Sequence, residues 1–291
     1  MNYNILEILE NFETAEQMMQ FVAQNKLCKK HDAKVLNNMI YKKIMRQKLE
    51  DKGIDYDDLA LFLKTHNVVM SGSFVLQVLC NKEFDKYDLD IFALKSSPVL
   101  ITGLEKIMKV PMTKQIKPTY DYMPKKYTES EKSTYAQSLG TNVEGNKYGG
   151  FEVCEFITEK LKVQLIIMPQ YKSYEELVDA FDLSCLKNYF DGTTFYIKHP
   201  DNIATFSGTY DDTYSHNHNF IHAMSRIKKY LQRGFSLSFT DKMLLKFSAT
   251  PVYNCHSNRL FVSMVCGYDF GRDEKQLTVL LKIIEKYRTK L

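Results

Sequence analysis

One stretch constrains the fold more than any other. Residues 68–94 read VVMSGSFVLQVLCNKEFDKYDLDIFAL. An apolar run is broken by Gly72-Ser73, a short apolar segment of helical length follows, and a second apolar run carries Asp88 and Asp90. This order predicts strand, turn, helix and strand. Side chains at i and i+2 of a strand point to the same face, so the two carboxylates share a side. Carboxylates on an otherwise buried strand are costly unless a cation sits between them. Hard divalent cations such as Mg2+ or Mn2+ select carboxylate oxygens and leave coordination positions for phosphate oxygens.

The rest of the chain frames that unit. Residues 1–66 carry apolar positions at helical spacing, in Ile5, Leu6, Ile8, Leu9 and Phe12 and again from Val35 to Ile44. Thr14 followed by Gln17 predicts a capping box. A helix is expected near 98–109. Two β-rich runs, FEVCEFI and LKVQLIIM, flank a short TEK turn and predict a hairpin, and Asp191-Gly192 between apolar flanks predicts a second. YKSYEELVDA reads as helix, whereas FDLSCLKNYF suits either strand or helix. Residues 217–234 and 274–290 are again helical in pattern, with Gly234 a natural stop. The expectation is an α+β fold, a mixed sheet flanked by N-terminal and C-terminal helices. Its regions are 1–66 (helical), 67–213 (the sheet-bearing core) and 214–291 (helical).

Composition narrows the setting. The 291 residues are 44% hydrophobic and 25% charged with a net charge of +4, ordinary for a globular protein and only mildly suited to a polyanion. The six cysteines are scattered without CxxC spacing, which predicts reduced thiols in a cytoplasmic setting. The first residues, MNYNILEILENFETAEQ, carry early acids and do not read as a signal peptide. No apolar run approaches the ~20 residues that span a bilayer. The thirteen methionines fall at apolar positions and read as core filler.

Gly72-Ser73, a helix, and then Asp88-Leu89-Asp90 on a strand resemble the signature of the polymerase-beta-like nucleotidyltransferases, over residues 66–168. The resemblance implies that the Gly72-Ser73 turn holds the triphosphate of an NTP such as ATP. It further implies that Asp88 and Asp90 bind Mg2+ or Mn2+ and that a third carboxylate comes from a neighbouring antiparallel strand. Two metals in such a site stabilise the attacking and leaving oxygens. The helix start adds N–H groups and a positive end, and a glycine there lets the backbone approach closely. This chain departs from the pattern at the third acid, where LKVQLIIM places Gln164. An amide orients a partner but carries no charge to a metal. Asp182 in FDLSCL is the first candidate to replace it, with Glu152 and Glu155 behind it.

Arg226, Lys229 and Arg233 fall at i, i+3 and i+7, one helix face. The resemblance implies a phosphate-binding role for such a row, against a plain solvated face. Tyr230 lies at its edge as a candidate ring for base stacking. Lysines and tyrosines interleave between 114 and 148, a pattern that suits single-stranded nucleic acid or a surface loop. His216, His218 and His222 lack a cysteine or acidic partner and read as loop rather than metal ligands. The leading expectation is therefore a metal-dependent nucleotidyltransferase. It moves a nucleoside monophosphate from an NTP to a hydroxyl, an RNA end among the acceptors. The alternative is a catalytically silent member of that fold that binds nucleotide or RNA, and a more distant one is an interaction protein whose acidic pair is structural.

Overall fold

The computed structural model describes residues 5–25, 33–116, 152–210 and 220–239. The Lys/Tyr segment beyond Ile116, His216, His218 and the 274–290 helix fall outside them. The chain divides into two compact units. The first takes residues 1–124, 148–178 and 186–198, and the second takes 125–147, 179–185 and 199–291. The fold is α+β.

In the first unit four helices come first: α1 (Ile5–Glu10), α2 (Ala15–Gln24), α3 (Ala33–Glu50) and α4 (Tyr56–His66). The capping box at α2 is present: Gln17 N–H donates to Thr14 Oγ1 at 3.2 Å and Thr14 N–H donates to Gln17 Oε1 at 3.1 Å. Asp55 caps α4, accepting from Asp58 N–H at 2.9 Å, and Asn67 ends that helix in the left-handed region. There follow β1 (Val69–Ser71), α5 (Gly72–Leu79), β2 (Leu89–Ala93), α6 (Pro98–Met108), β3 (Lys114–Ile116), β4 (Glu152–Ile157) and β5 (Lys162–Ile167). Next come α7 (Tyr174–Asp179), β6 (Asn188–Phe190) and β7 (Phe195–Ile197), with a 3₁₀ turn (Ser184–Leu186) between α7 and β6 in the chain whose first two residues belong to the second unit. The ambiguous run FDLSCLKNYF thus divides into that turn and β6. From Ser73 to Leu79 every residue of α5 is buried, as befits a helix apolar all round.

The seven strands form one sheet in the order β3-β4-β5-β2-β1-β6-β7. Every neighbouring pair is antiparallel except β2–β5, which is parallel. Alternation along each strand separates two faces. One in-register row runs Phe190, Met70, Ile91, Leu165, Cys154, all 1% exposed or less. Tyr56 of α4 stacks on Phe190 at 6.3 Å between centroids on that face. The adjacent row, on the opposite face, runs Tyr196, Tyr189, Ser71, Asp90, Gln164, Glu155, Lys114. A one-residue slip would turn this polar row into the core, at several kcal/mol for each unpaired buried group. The register is therefore fixed by the sequence of faces.

The β6–β7 hairpin closes at Asp191-Gly192, where Asp191 Oδ1 accepts from the N–H groups of Thr193 and Thr194 at 2.7 Å. Gly192 has φ +89°, and a Cβ there would stand 2.2 Å from the Ala60 carbonyl oxygen of α4. Tyr189 and Tyr196 stack at 4.9 Å, and the Tyr189 hydroxyl donates to Glu175 Oε1 at 2.7 Å. That bond holds the Glu175 carboxyl below its ordinary range, while burial and then Glu175 itself push the Tyr189 phenol up.

The second unit carries α8 (Pro200–Ala204), β8 (Ser207–Tyr210), α9 (Phe220–Gln232) and β9 (Ser236–Phe239), with β8 and β9 parallel. Ser184 Oγ ties it together, accepting from Asn202 Nδ2 at 2.7 Å and from Thr209 N–H at 2.8 Å. Cys80, Cys154 and Cys185 form no disulfide. Among the described residues no helix is long and apolar enough to cross a membrane.

Two outcomes test this packing. Gly192→Ala should destabilise the protein by about 2–4 kcal/mol, from strain and overpacking together, measured as a lower denaturant midpoint at unchanged slope. Tyr189→Phe should cost about 0.5 kcal/mol near neutral pH, since Glu175 is solvent-exposed. Because the folded Glu175 pKa is depressed, its contribution is present above the ordinary glutamate range and lost as pH falls through the folded value. Stability curves of the variant and the parent should therefore converge on acidification.

Candidate active site

The site is built on the polar sheet face of the first unit, where β1 runs into α5. Helix α5 starts at Gly72 itself, one residue earlier than a Gly72-Ser73 turn implies. Ser73 thus lies in the first helical turn and is buried, 5% exposed. Ser71 occupies the cap position, but its hydroxyl donates to the Asn188 carbonyl at 2.5 Å instead of capping the helix. Gly72 sits at φ +77°, and a Cβ there would fall 2.6 Å from Asp90 Oδ2. The Asp90 carboxylate therefore fills the space that the missing side chain leaves, against the start of α5. That space exists only because residue 72 is glycine.

Asp90 lies on β2, while Asp88 lies one residue ahead of the strand. Both remain on the same side, as the neighbouring strand shows. Asp90 pairs with Gln164 of β5, and Asp88 Oδ2 meets the ammonium of Lys162, two residues earlier on β5, at 3.1 Å. The strand expected to carry the third acid is thus parallel to β2, not antiparallel; the antiparallel neighbour of β2 is β1. Gln164 occupies the position directly across from Asp90.

An acid does stand in this row, one strand further out. Glu155 of β4 pairs with Gln164, and Gln164 Nε2 donates to Glu155 Oε1 at 2.8 Å. The Lys162 ammonium lies 3.7 Å from the same oxygen. Burial opposes the charge on Lys162, yet the bond to Asp88 and the fields of Asp88, Glu155 and Asp90 outweigh it and hold the ammonium above its ordinary pKa. The signal for this pair was present in the alternation of KVQLII, which sets Lys162 and Gln164 on one face. The partners on β2 and β4 follow only from pairing.

An open cleft of about 480 Å³ adjoins the Asp88 end of the row. Lys52, Lys86, Lys160 and Lys162 line it together with the acids Glu83, Asp85 and Asp88, and Lys52 Nζ lies 5.8 Å from the Tyr87 ring centroid. Among the described residues no three His, Cys, Asp or Glu side chains converge closely enough to hold a metal unaided. Two carboxylates at i and i+2 beside a helix start do fit one hard cation whose remaining ligands are phosphate oxygens and water. Mg2+ is commonly held in that manner, by one or two carboxylates and its nucleotide.

The remaining candidates lie in the second unit. Asp182 receives Arg226 Nη1 on both oxygens at 2.9 Å, so the proposed third acid and the first cation of the stripe neutralise one another. Lys229 is exposed on α9. Arg233 lies just past the last helical residue, Gln232, with its guanidinium 5.0 Å from the Tyr230 ring centroid. Tyr230 is 3% exposed and meets Phe235 edge-on at 5.8 Å; it belongs to the core and presents no face to a base.

Solved structures similar to this chain include a CCA-adding enzyme with ATP, a tRNA-processing enzyme and a CCA-adding enzyme without ligand. A CCA-adding enzyme in complex with ATP shares 14% identity, covering 83% of this chain and 55% of its own, at a TM-score of 0.47. A tRNA-processing enzyme in an apo form shares 16%, with 83% and 57% covered and a TM-score of 0.45. A CCA-adding enzyme in an apo form shares 12%, with 90% and 53% covered and a TM-score of 0.44. The chain spans little more than half the length of each. No curated protein matches it. The model of the Gabija anti-defense 2 family (Gad2) matches residues 35–226, which span every strand of the sheet and the whole Asp88–Lys162–Glu155 cluster. The chain belongs to the Gabija anti-defense 2 family.

Proposed function

We propose that this protein is a metal-dependent nucleotidyltransferase that moves a nucleoside monophosphate from an NTP to a hydroxyl acceptor, an RNA end being one such acceptor. One observation carries the reading: the Asp90 carboxylate lies against the Gly72 junction at the start of a buried helix, with Asp88 beside it on the same face. Phosphate oxygens placed at that helix start meet backbone N–H groups and the positive helix end. A magnesium or manganese ion held by Asp88 and Asp90 would supply charge neutralisation at the transferred phosphorus. Asp90 is positioned by the absent Cβ of Gly72, and Asp88 by Lys162. The cleft beside Asp88, which mixes four lysines with Glu83, Asp85 and Asp88, offers an acceptor its approach. Asp182 and Arg226 are occupied with each other and have no part in this reading. The family's name supplies a setting, opposition to Gabija defence, and the scattered cysteines suit a cytoplasmic compartment.

A second reading is favoured by Gln164: a nucleotide- or RNA-binding protein of the same architecture without turnover. Incubation with Mg2+ or Mn2+, labelled NTPs and short RNA separates the two. Incorporation in the parent that falls well beyond ~100-fold in the Asp88→Ala/Asp90→Ala variant, more than the loss of an outer partner costs, supports the enzyme. Binding without incorporation supports the silent protein, and absence of metal-dependent NTP binding sinks both. In the silent case Gln164→Asp, which restores an acid beside Asp90, should create turnover. Gly72→Ala should weaken metal-dependent NTP binding by about 10-fold or more even at temperatures where the variant is fully folded, because its Cβ drives Asp90 aside. Relief of Gabija defence in cells by the parent, and not by the double variant, would tie the family's role to this site.

A further inference from the structure

We propose that the Lys162 ammonium is a built-in cation standing between Asp88 and Glu155 in place of a second metal ion, so that the site takes one divalent cation per nucleotide. The inference rests on the metal and nucleotide reading above and adds its stoichiometry. Lys162 and Gln164 are alternate residues of β5 and share its polar face. Lys162 lies 3.1 Å from Asp88 Oδ2 and 3.7 Å from Glu155 Oε1, so it meets one acid just ahead of β2 and one on β4. Gln164 donates to that same Glu155 oxygen at 2.8 Å, which holds the carboxylate turned toward the ammonium. A second metal would draw on these same two oxygens.

Charge leads to the same conclusion. Asp88, Asp90 and Glu155 carry three negative charges, Lys162 one positive charge, and Gln164 none where an acid is expected. The ammonium thus supplies positive charge between Asp88 and Glu155, where a second ion would stand. A second would have to enter beside a fixed ammonium, with like-charge repulsion in a site partly withdrawn from water. Tethering also makes this charge constant: it needs no ion from solution and cannot leave with the product. An amide at 164 and a lysine at 162 together give this face the positive charge without an ion.

The test counts ions. Full-length protein is equilibrated with Mn2+ and a non-hydrolysable ATP analogue, and bound Mn2+ per chain is read by electron paramagnetic resonance, corrected for ion held by the analogue alone. The parent should bind one ion, Lys162→Arg should also bind one, and Lys162→Met and Lys162→Gln should each bind two. Two substitutions at this half-exposed position guard against one that misfolds, with circular dichroism as the check. A parent that binds two ions overturns the proposal, as do well-folded Met and Gln variants that still bind one. If neither parent nor variants bind any ion with the analogue, the metal-site reading itself falls and the stoichiometry falls with it. Asp88→Asn/Asp90→Asn should bind none; retention of an ion there would place the metal elsewhere and also overturn the proposal.

Discussion

The parallel pairing of β2 on β5 is the constraint on which the site depends. It sets Leu89 against Val163, Asp90 against Gln164 and Ile91 against Leu165. With that register the apolar residues of both strands fall on one face and the polar ones on the other. The cost of slipping by one residue is the burial of Asp90 and Gln164 and the exposure of residues that are almost wholly buried. The same energetics that hold the core therefore place two carboxylates, an amide and an ammonium within reach of one another. Function here is a by-product of register.

A second constraint acts at the junction of β1 and α5. A left-handed residue is required for the chain to turn from strand into a helix buried on every side, and Gly72 meets that need. Asp90 then occupies the volume above it. The glycine thus serves backbone conformation and side-chain placement together. Ser71 and Ser73, which flank it, are buried, and the Ser71 hydroxyl is directed to β6. Neither serine hydroxyl is thus turned out at this junction; its open polar groups are backbone N–H groups at the start of α5 beside the Asp90 carboxylate.

Within the second unit, charges that look available in the sequence are spent internally. Arg226 grips both oxygens of Asp182, and Arg233 rides over Tyr230, whose ring is buried against Phe235. A periodic row of cations on a helix says which face they share; it does not say whether acids from another segment have reached them first. Asp182 and Arg226 are 44 residues apart, and no local pattern connects them.

The sequence by itself determined the strand–helix–strand unit around Gly72, Asp88 and Asp90, the two hairpins and the capping box at Thr14. All of these arise from alternation, turn chemistry and caps that act over a few residues. It also placed Gln164 where the resemblance to nucleotidyltransferases expects an acid. Only the tertiary structure decided what stands in that place. Glu155 and Lys162 come to Asp88 through cross-strand pairing, and pairing joins strands by long-range register that no local period encodes. That is why the acidic pair was legible in the chain and Glu155 stood there only as one candidate among three, while Lys162 was not singled out at all.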